Sequence, residues 1–184
     1  MKTVKHNSDH KTDPELSAKK LKAYFAKKGQ AIVAYSGGVD SALLAYVAHL
    51  ALGNAMVAAL SDSPSLSRRE YRFALNFTQQ NGIPLQIIRT QEMEDPQYLA
   101  NPANRCYYCK KALFEKIDEL RQELRSSAQR SDWPIFYGVN LDDLGDFRPG
   151  IQAAEEASIL APYVDLGIDK NTIRAMCKYF GLEI

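Results

Sequence analysis

Ser36-Gly37-Gly38-Val39-Asp40-Ser41 begins where the apolar run Ala31-Ile32-Val33-Ala34-Tyr35 stops, and an amphipathic segment restarts behind it. This is how a strand delivers a polyphosphate to a helix N-terminus. Gly37 and Gly38 remove Cβ atoms where an anion must approach the backbone, and the first N–H groups of the following helix are unpaired and point at that anion. Ser36 and Ser41 add hydroxyl donors, and Asp40 either caps the helix or helps to hold a metal. The run lacks the Gly-Lys-Ser/Thr ending of a Walker loop and the spacing of a dinucleotide fingerprint. A Gly-rich turn without a ligand is the plainer alternative.

Three other constellations carry chemistry. Asn140 to Gly150 contains Asp142, Asp143, Asp146 and Arg148 just beyond a predicted parallel strand, where open α/β sheets gather ligands. Asp142 and Asp143 are candidates for magnesium; Arg148 suits a phosphate or carboxylate held in a bidentate fork, and Asp146 would organise it. An exposed acidic turn would look similar. Ser61 to Glu70 follows the second predicted strand, so Ser61, Ser63 and Arg68 are candidate adenine or phosphate contacts, with Arg69 also within reach; a serine-rich helix cap is the competing reading. Cys106-Tyr107-Tyr108-Cys109 fits half a zinc site, a redox pair, part of an iron–sulfur site with Cys177, or two buried thiols. A lone CxxC is weak evidence for zinc. Cys177 reads as core, and His6, His10 and His49 form no catalytic constellation.

The elements that must position these residues alternate. A polar, flexible tail over 1–13 precedes a helix from Pro14 or Glu15 to Lys28, closed by Gly29. Strands are predicted over 31–35, 55–60, 84–89 and 134–138. Helical periods run through Leu43, Leu44, Val47 and Leu50; through Leu66 to Gln80; and through Cys106, Cys109, Leu113, Ile117, Leu120 and Leu124. The last of these places both cysteines on an apolar helix face. A short helix over 151–157 and a final one over 169–180, with Gly181 as its C-cap, complete the pattern. Strand and helix alternation implies a doubly wound, mostly parallel α/β sheet with helices on both faces. The polar loop from Gln91 to Asn104 is long enough to cover a site.

With 184 residues the chain suits one domain, residues 14–184. Its 23 basic and 22 acidic residues leave a formal charge of +1, which supplies no bulk attraction for nucleic acid. Lys19, Lys20, Lys22, Lys27 and Lys28 read as a solvated helix face. No window is long and apolar enough to span a membrane, and three cysteines suit a reducing, cytoplasmic setting. A homo-oligomer stays open.

Read together, Ser36 to Ser41, Ser63-Pro64-Ser65-Leu66, Asn104-Arg105-Cys106-Tyr107-Tyr108-Cys109-Lys110-Lys111 and Asn140 to Gly150 resemble the ATP-dependent sacrificial sulfur transferases of the ATP pyrophosphatase (PP-loop) superfamily. The resemblance runs from Leu16 to Ile184. It implies an adenine nucleotide alpha hydrolase-like fold, with ATP and Mg2+ as cofactors. Members of that family adenylate a carboxylate on a pyridinium mononucleotide, then sulfurate it during assembly of the nickel-pincer cofactor of lactate racemase. Carried over, Ser36, Gly37, Gly38, Asp40 and Ser41 bind ATP, Asp40 is a magnesium contact and Arg148 a phosphate contact.

One departure concerns the sulfur donor. The family's sacrificial cysteine lies in a Pro-Ala-x-x-Cys segment shortly after a helix ending in Gly-Leu, and this sequence reaches Gly181-Leu182-Glu183-Ile184 without a residue in that position. Cys177 lies upstream and does not inherit the role. The expectation is therefore adenylation without the family's C-terminal catalytic part, whether the sequence is a piece of a longer chain, a short paralogue, or a protein supplied with sulfur by another. A tRNA-thiolating or other adenylating enzyme, and a non-catalytic nucleotide-binding or assembly protein, are the alternatives.

Overall fold

Ala31–Tyr35 (β1) is buried at every residue, as a strand covered on both faces must be. In the computed structural model, which describes residues 13–63, 66–90, 100, 104–127, 132–145 and 149–184, β1 lies inside a four-stranded sheet. Its neighbours are Met56–Asp62 (β2), Leu85–Arg89 (β3) and Ile135–Phe136 (β4), in the order β3-β2-β1-β4. All the pairings are parallel: Ala31 to Tyr35 align with Met56 to Leu60, Ala58 to Asp62 with Leu85 to Arg89, and Ile32 and Val33 with Ile135 and Phe136. The period of two splits β1 between two cores. Ala31, Val33 and Tyr35 join Leu21, Phe25, Leu43, Leu44, Val47, Phe77, Tyr163 and Met176 on one face. Ile32 and Ala34 join Phe114, Ile117, Trp133 and Ile159 on the other.

The first face is covered by Pro14–Lys28 (α1), Val39–Leu52 (α2), Arg68–Gln80 (α3) and, later in the chain, the short Pro162–Asp165 (α6) and Lys170–Tyr179 (α7). Arg105–Ser127 (α4) and Pro149–Glu156 (α5) cover the second. The doubly wound reading therefore holds. Helix starts follow local chemistry: the Asp13 carboxylate accepts from the Glu15 N–H, and Ser67 forms a capping box with Glu70. Ser67 thus acts as the cap, and α3 begins at Arg68 rather than Leu66. Lysines 19, 20, 22, 27 and 28 are exposed on α1, as expected of a solvated face.

Several boundaries move. β4 is two residues rather than 134–138: it pairs with Ile32 and Val33 of β1, and the next N–H, that of Tyr137, goes to the Leu160 carbonyl instead. The helix before Gly181 is capped by Phe180; Gly181, at φ 66, is the left-handed residue just beyond, and Leu182 returns its N–H to the Cys177 carbonyl. Among the described residues no helix is long and apolar enough to cross a membrane.

Candidate functional site

The order β3-β2-β1-β4 places a topological switch between β1 and β4, since the chain winds outward from β1 through β2 and β3 and then returns to β1's other side. Open parallel sheets hold their ligands in the crevice at such a point. The Ser-Gly-Gly turn occupies it. Gly37 adopts φ 81, and a Cβ there would lie 2.8 Å from Ala74 Cβ, so the turn presses onto α3. Tyr35 ties the same corner by donating its hydroxyl to the Ala74 carbonyl at 3.1 Å. Gly38 is the N-cap residue of α2, extended at φ −72 and ψ 158, with no side-chain cap. The first intrahelical bond runs from the Ala42 N–H to the Gly38 carbonyl at 2.9 Å. The N–H groups of Val39, Asp40 and Ser41 therefore precede the helical ladder, which makes this helix start a cradle whose shape suits an anion.

Ser41 shapes this cradle from within. Its hydroxyl donates to the Gly38 carbonyl at 3.0 Å and accepts the Ser36 N–H at 3.1 Å. With its proton so placed, the 3.0 Å contact between the two hydroxyls has Ser36 as donor. The loop after β4 closes on the cradle from the other side: a Cβ on Gly138 would stand 3.0 Å from the Ser41 nitrogen and 3.1 Å from the Asp40 carbonyl carbon. A side chain at Gly138 would have to push the first turn of α2 back.

Asp40 does not cap α2. Its carboxylate lies in the first turn and takes the Lys170 ammonium at 2.6 and 2.5 Å, while its backbone carbonyl accepts the buried Tyr163 hydroxyl at 2.9 Å. Burial, and then the Asp40 charge, push the Tyr163 phenol well above its ordinary range, so it remains a donor. Asp142 accepts the Lys170 N–H at 2.7 Å, and Asp143 accepts the Asn140 N–H at 3.1 Å. The two aspartates thus organise the turn Leu141–Asp143 and the start of α7. Among the described residues there is no group of three or more His, Cys, Asp or Glu side chains placed to hold a metal. Arg148 and Asp146 lie outside the described residues.

A cavity of about 640 Å³ opens beside the cradle, lined among others by Ser36, Gly38, Asp40, Ser41, Cys106 and Cys109. Ser61, Ser63, Leu66, Thr90, Tyr137, Gly138 and Asp143 complete its sheet-edge wall. Ser61 shares a 2.7 Å hydrogen bond with Thr90. Arg68 lies apart from this lining: it pairs with Asp62 at 2.7 Å, donates to the carbonyls of Ser63 and Leu66, and covers the Tyr71 ring. It ties the end of β2 to the start of α3. Arg69 faces a second cavity of about 580 Å³ on the far side of the cradle, with Arg72 and Phe73. Asp142 is likewise absent from the first cavity's lining.

The cysteines correct the apolar-face expectation. Phe114, Ile117 and Leu120 form the buried stripe of α4, but the first turn overhangs the cavity, leaving Cys106 exposed and Cys109 partly so. Cys177 is buried in α7, as expected, and burial raises its thiol above the usual range. Lys170, Tyr163, Thr90 and Tyr137 were not legible as site residues. Tyr137 is half-buried in the cavity wall, where desolvation and then Glu155 push its phenol up to about 12, keeping it a neutral donor.

Comparison with known proteins follows this geometry. The family model described as NAD synthase matches residues 15–101. An uncharacterised protein of Synechocystis is 40% identical over 168 residues, which cover 91% of this chain and 60% of that protein. Pyridinium-3,5-bisthiocarboxylic acid mononucleotide synthase of Lactiplantibacillus plantarum is 26% identical over 151 residues, 82% of this chain and 52% of that protein. The NH3-dependent NAD synthetase of Campylobacter jejuni superposes with a TM-score of 0.61 at 18% identity, over 93% of this chain and 75% of that one. The chain spans between 52% and 60% of the length of these two curated relatives. Its fold, a parallel sheet flanked by helices, matches the adenine nucleotide alpha hydrolase-like arrangement of these synthetases.

Proposed function

We propose that residues 14–184 form an ATP-dependent adenylating domain that activates a carboxylate of a pyridinium mononucleotide for sulfur transfer in nickel-pincer cofactor assembly. The observation that carries this reading is the cradle of Ser36 to Ser41 at the β1/β4 switch point, opening into the cavity that the Arg-Cys-Tyr-Tyr-Cys-Lys turn overhangs. The likeness to the pyridinium-3,5-bisthiocarboxylic acid mononucleotide synthase supports the choice of substrate.

In this reading the triphosphate lies over the N–H groups of Val39, Asp40 and Ser41, and adenine reaches toward Ser61 and Ser63. The substrate carboxylate attacks the α-phosphorus and pyrophosphate leaves, producing a mixed anhydride open to a sulfur nucleophile. The preorganised N–H groups stabilise charge on the departing phosphates. Mg2+ entering with the nucleotide fits Asp40 and Asp143, since that ion needs one or two carboxylates besides phosphate and water, and it would supply charge neutralisation. Arg148 is a further phosphate or substrate contact.

The test is exchange of labelled pyrophosphate into ATP. Exchange that depends on the pyridinium mononucleotide supports the reading, and tight ATP binding without exchange points to a non-catalytic nucleotide-binding protein. Exchange driven by a tRNA instead would move the assignment to a tRNA-thiolating enzyme.

A further inference from the structure

Two arginines face the Gly-Gly turn from the side that the nucleotide leaves unused. The cavity of about 580 Å³ on that side is lined by Ser36, Gly37 and Gly38 and, across from them, by Arg69, Arg72 and Phe73 of α3. It shares Ser36 and Gly38 with the larger cavity, but Asp40 and Ser41 line the larger one alone. A phosphate held on the first N–H groups of α2 therefore lies in the larger cavity, across the turn from the arginines.

These guanidiniums are placed but not engaged. Arg72 donates its Nε–H to the Arg68 carbonyl at 3.2 Å, which fixes the side chain and leaves both terminal nitrogens to donate elsewhere. Among the described residues no carboxylate pairs with Arg69 or Arg72, whereas Arg68 is held by Asp62. Glu70 also lines this cavity, but its carboxylate accepts the Ser67 hydroxyl at 2.6 Å and the Ser67 N–H at 3.3 Å. Residues three apart on a helix are neighbours, and two like charges at that spacing weaken the helix unless an anion comes between them. The face they share is also fixed against the turn. A Cβ on Gly37 would lie 2.8 Å from Ala74 Cβ, and the Tyr35 hydroxyl donates to the Ala74 carbonyl at 3.1 Å.

We propose that this second cavity is an exit site for pyrophosphate, separate from the cradle and able to hold the anion while a nucleotide occupies the cradle. The proposal rests on the adenylation reading for the source of the anion. Once the bond to the α-phosphorus breaks, pyrophosphate crosses the turn, where Gly37 and Gly38 present no side chain, and takes the two guanidiniums, each of which matches a pair of phosphate oxygens. Its departure on that side leaves the adenylate in the larger cavity without a pyrophosphate beside it to reverse the reaction.

Calorimetry on the whole chain tests the site. Protein saturated with α,β-methylene-ATP, which cannot be split at that bond, is titrated with magnesium pyrophosphate. Arg69→Gln, Arg72→Gln and the double variant are titrated alongside, with Arg174→Gln, an exposed arginine of α7, as the charge control. The proposal predicts one equivalent of pyrophosphate bound without displacing the analogue, with affinity lowered about tenfold by each cavity variant and unchanged in Arg174→Gln. Affinity for the analogue should be equal in all. No pyrophosphate bound by the saturated protein, displacement of the analogue, full binding by the double variant, or orthophosphate bound as tightly as pyrophosphate would overturn the exit site. Failure of the analogue to bind, with arginine-dependent pyrophosphate binding to the free protein intact, would overturn the adenylation reading and leave the pyrophosphate site standing.

Discussion

Gly38→Asp should separate folding from nucleotide binding. Gly38 has φ −72 and ψ 158, which any L-residue adopts, and a Cβ there would meet only the Ser36 hydroxyl at 3.7 Å. Asp is a favoured N-cap residue and replaces Gly at that position with a change of a few tenths of a kcal/mol. Thermal stability should therefore stay level or rise slightly. The same carboxylate projects into the cradle where phosphate would lie. At about 5 Å from a phosphate charge and an effective dielectric of about 20, repulsion is about 3 kcal/mol; in a fully hydrated site it falls to about 1 kcal/mol. ATP affinity should then drop by between about fivefold and about 150-fold, read by calorimetry with magnesium, while the melting temperature is followed by circular dichroism. Unchanged ATP affinity in a folded Gly38→Asp protein would show that the triphosphate does not lie over Ser36 to Ser41.

Gly37→Ala should do the reverse: with φ at 81 and Ala74 Cβ at 2.8 Å, left-handed strain and overpacking together should cost about 2–4 kcal/mol in chemical denaturation. A double-mutant cycle of Asp40→Asn and Lys170→Met should give a coupling of about 1–2 kcal/mol, between exposed and buried pairs, because the two side chains are 26% and 28% exposed; a coupling near zero would show the pair contributes nothing. Asp169 caps α7 through the Thr172 N–H, and hydrogen bonding by the Thr172 side chain, then by that N–H, holds its carboxyl below the usual value. Its contribution is present above the unfolded carboxyl's pKa and disappears as pH falls through the lower folded value. Asp169→Ala should therefore cost about 1 kcal/mol at neutral pH, a difference that vanishes in acid titrations of unfolding.

The parts of the site legible in the sequence are the local ones. An uncharged run into Ser-Gly-Gly and an amphipathic segment specifies strand, turn and helix within a dozen or so residues, and β1, the cradle and α2 follow that reading closely. The ion pair of Asp40 was not legible because its partner is distant: Lys170 lies 130 positions away, and nothing near either residue signals the other. The only available hint was Asp169, which marks where α7 must start. The cysteines failed for a different reason. Periodicity identifies a face of α4 but not what lies opposite, and its first turn has a cavity beneath it where Phe114, Ile117 and Leu120 have the sheet. Arg68 was a plausible anion ligand by type, yet a nearby carboxylate and two loop carbonyls engage it first.

The account's central claim is that a substrate carboxylate attacks the α-phosphorus of ATP held in the Ser36–Ser41 cradle. Incubating the protein with ATP, magnesium and a pyridinium mononucleotide whose carboxylate carries oxygen-18, then weighing the nucleotide products, tests it most directly. Attack at the α-phosphorus transfers a carboxylate oxygen to phosphorus, so AMP should carry one heavy oxygen and pyrophosphate none. Unlabelled AMP, or ADP with phosphate in place of AMP with pyrophosphate, would contradict it.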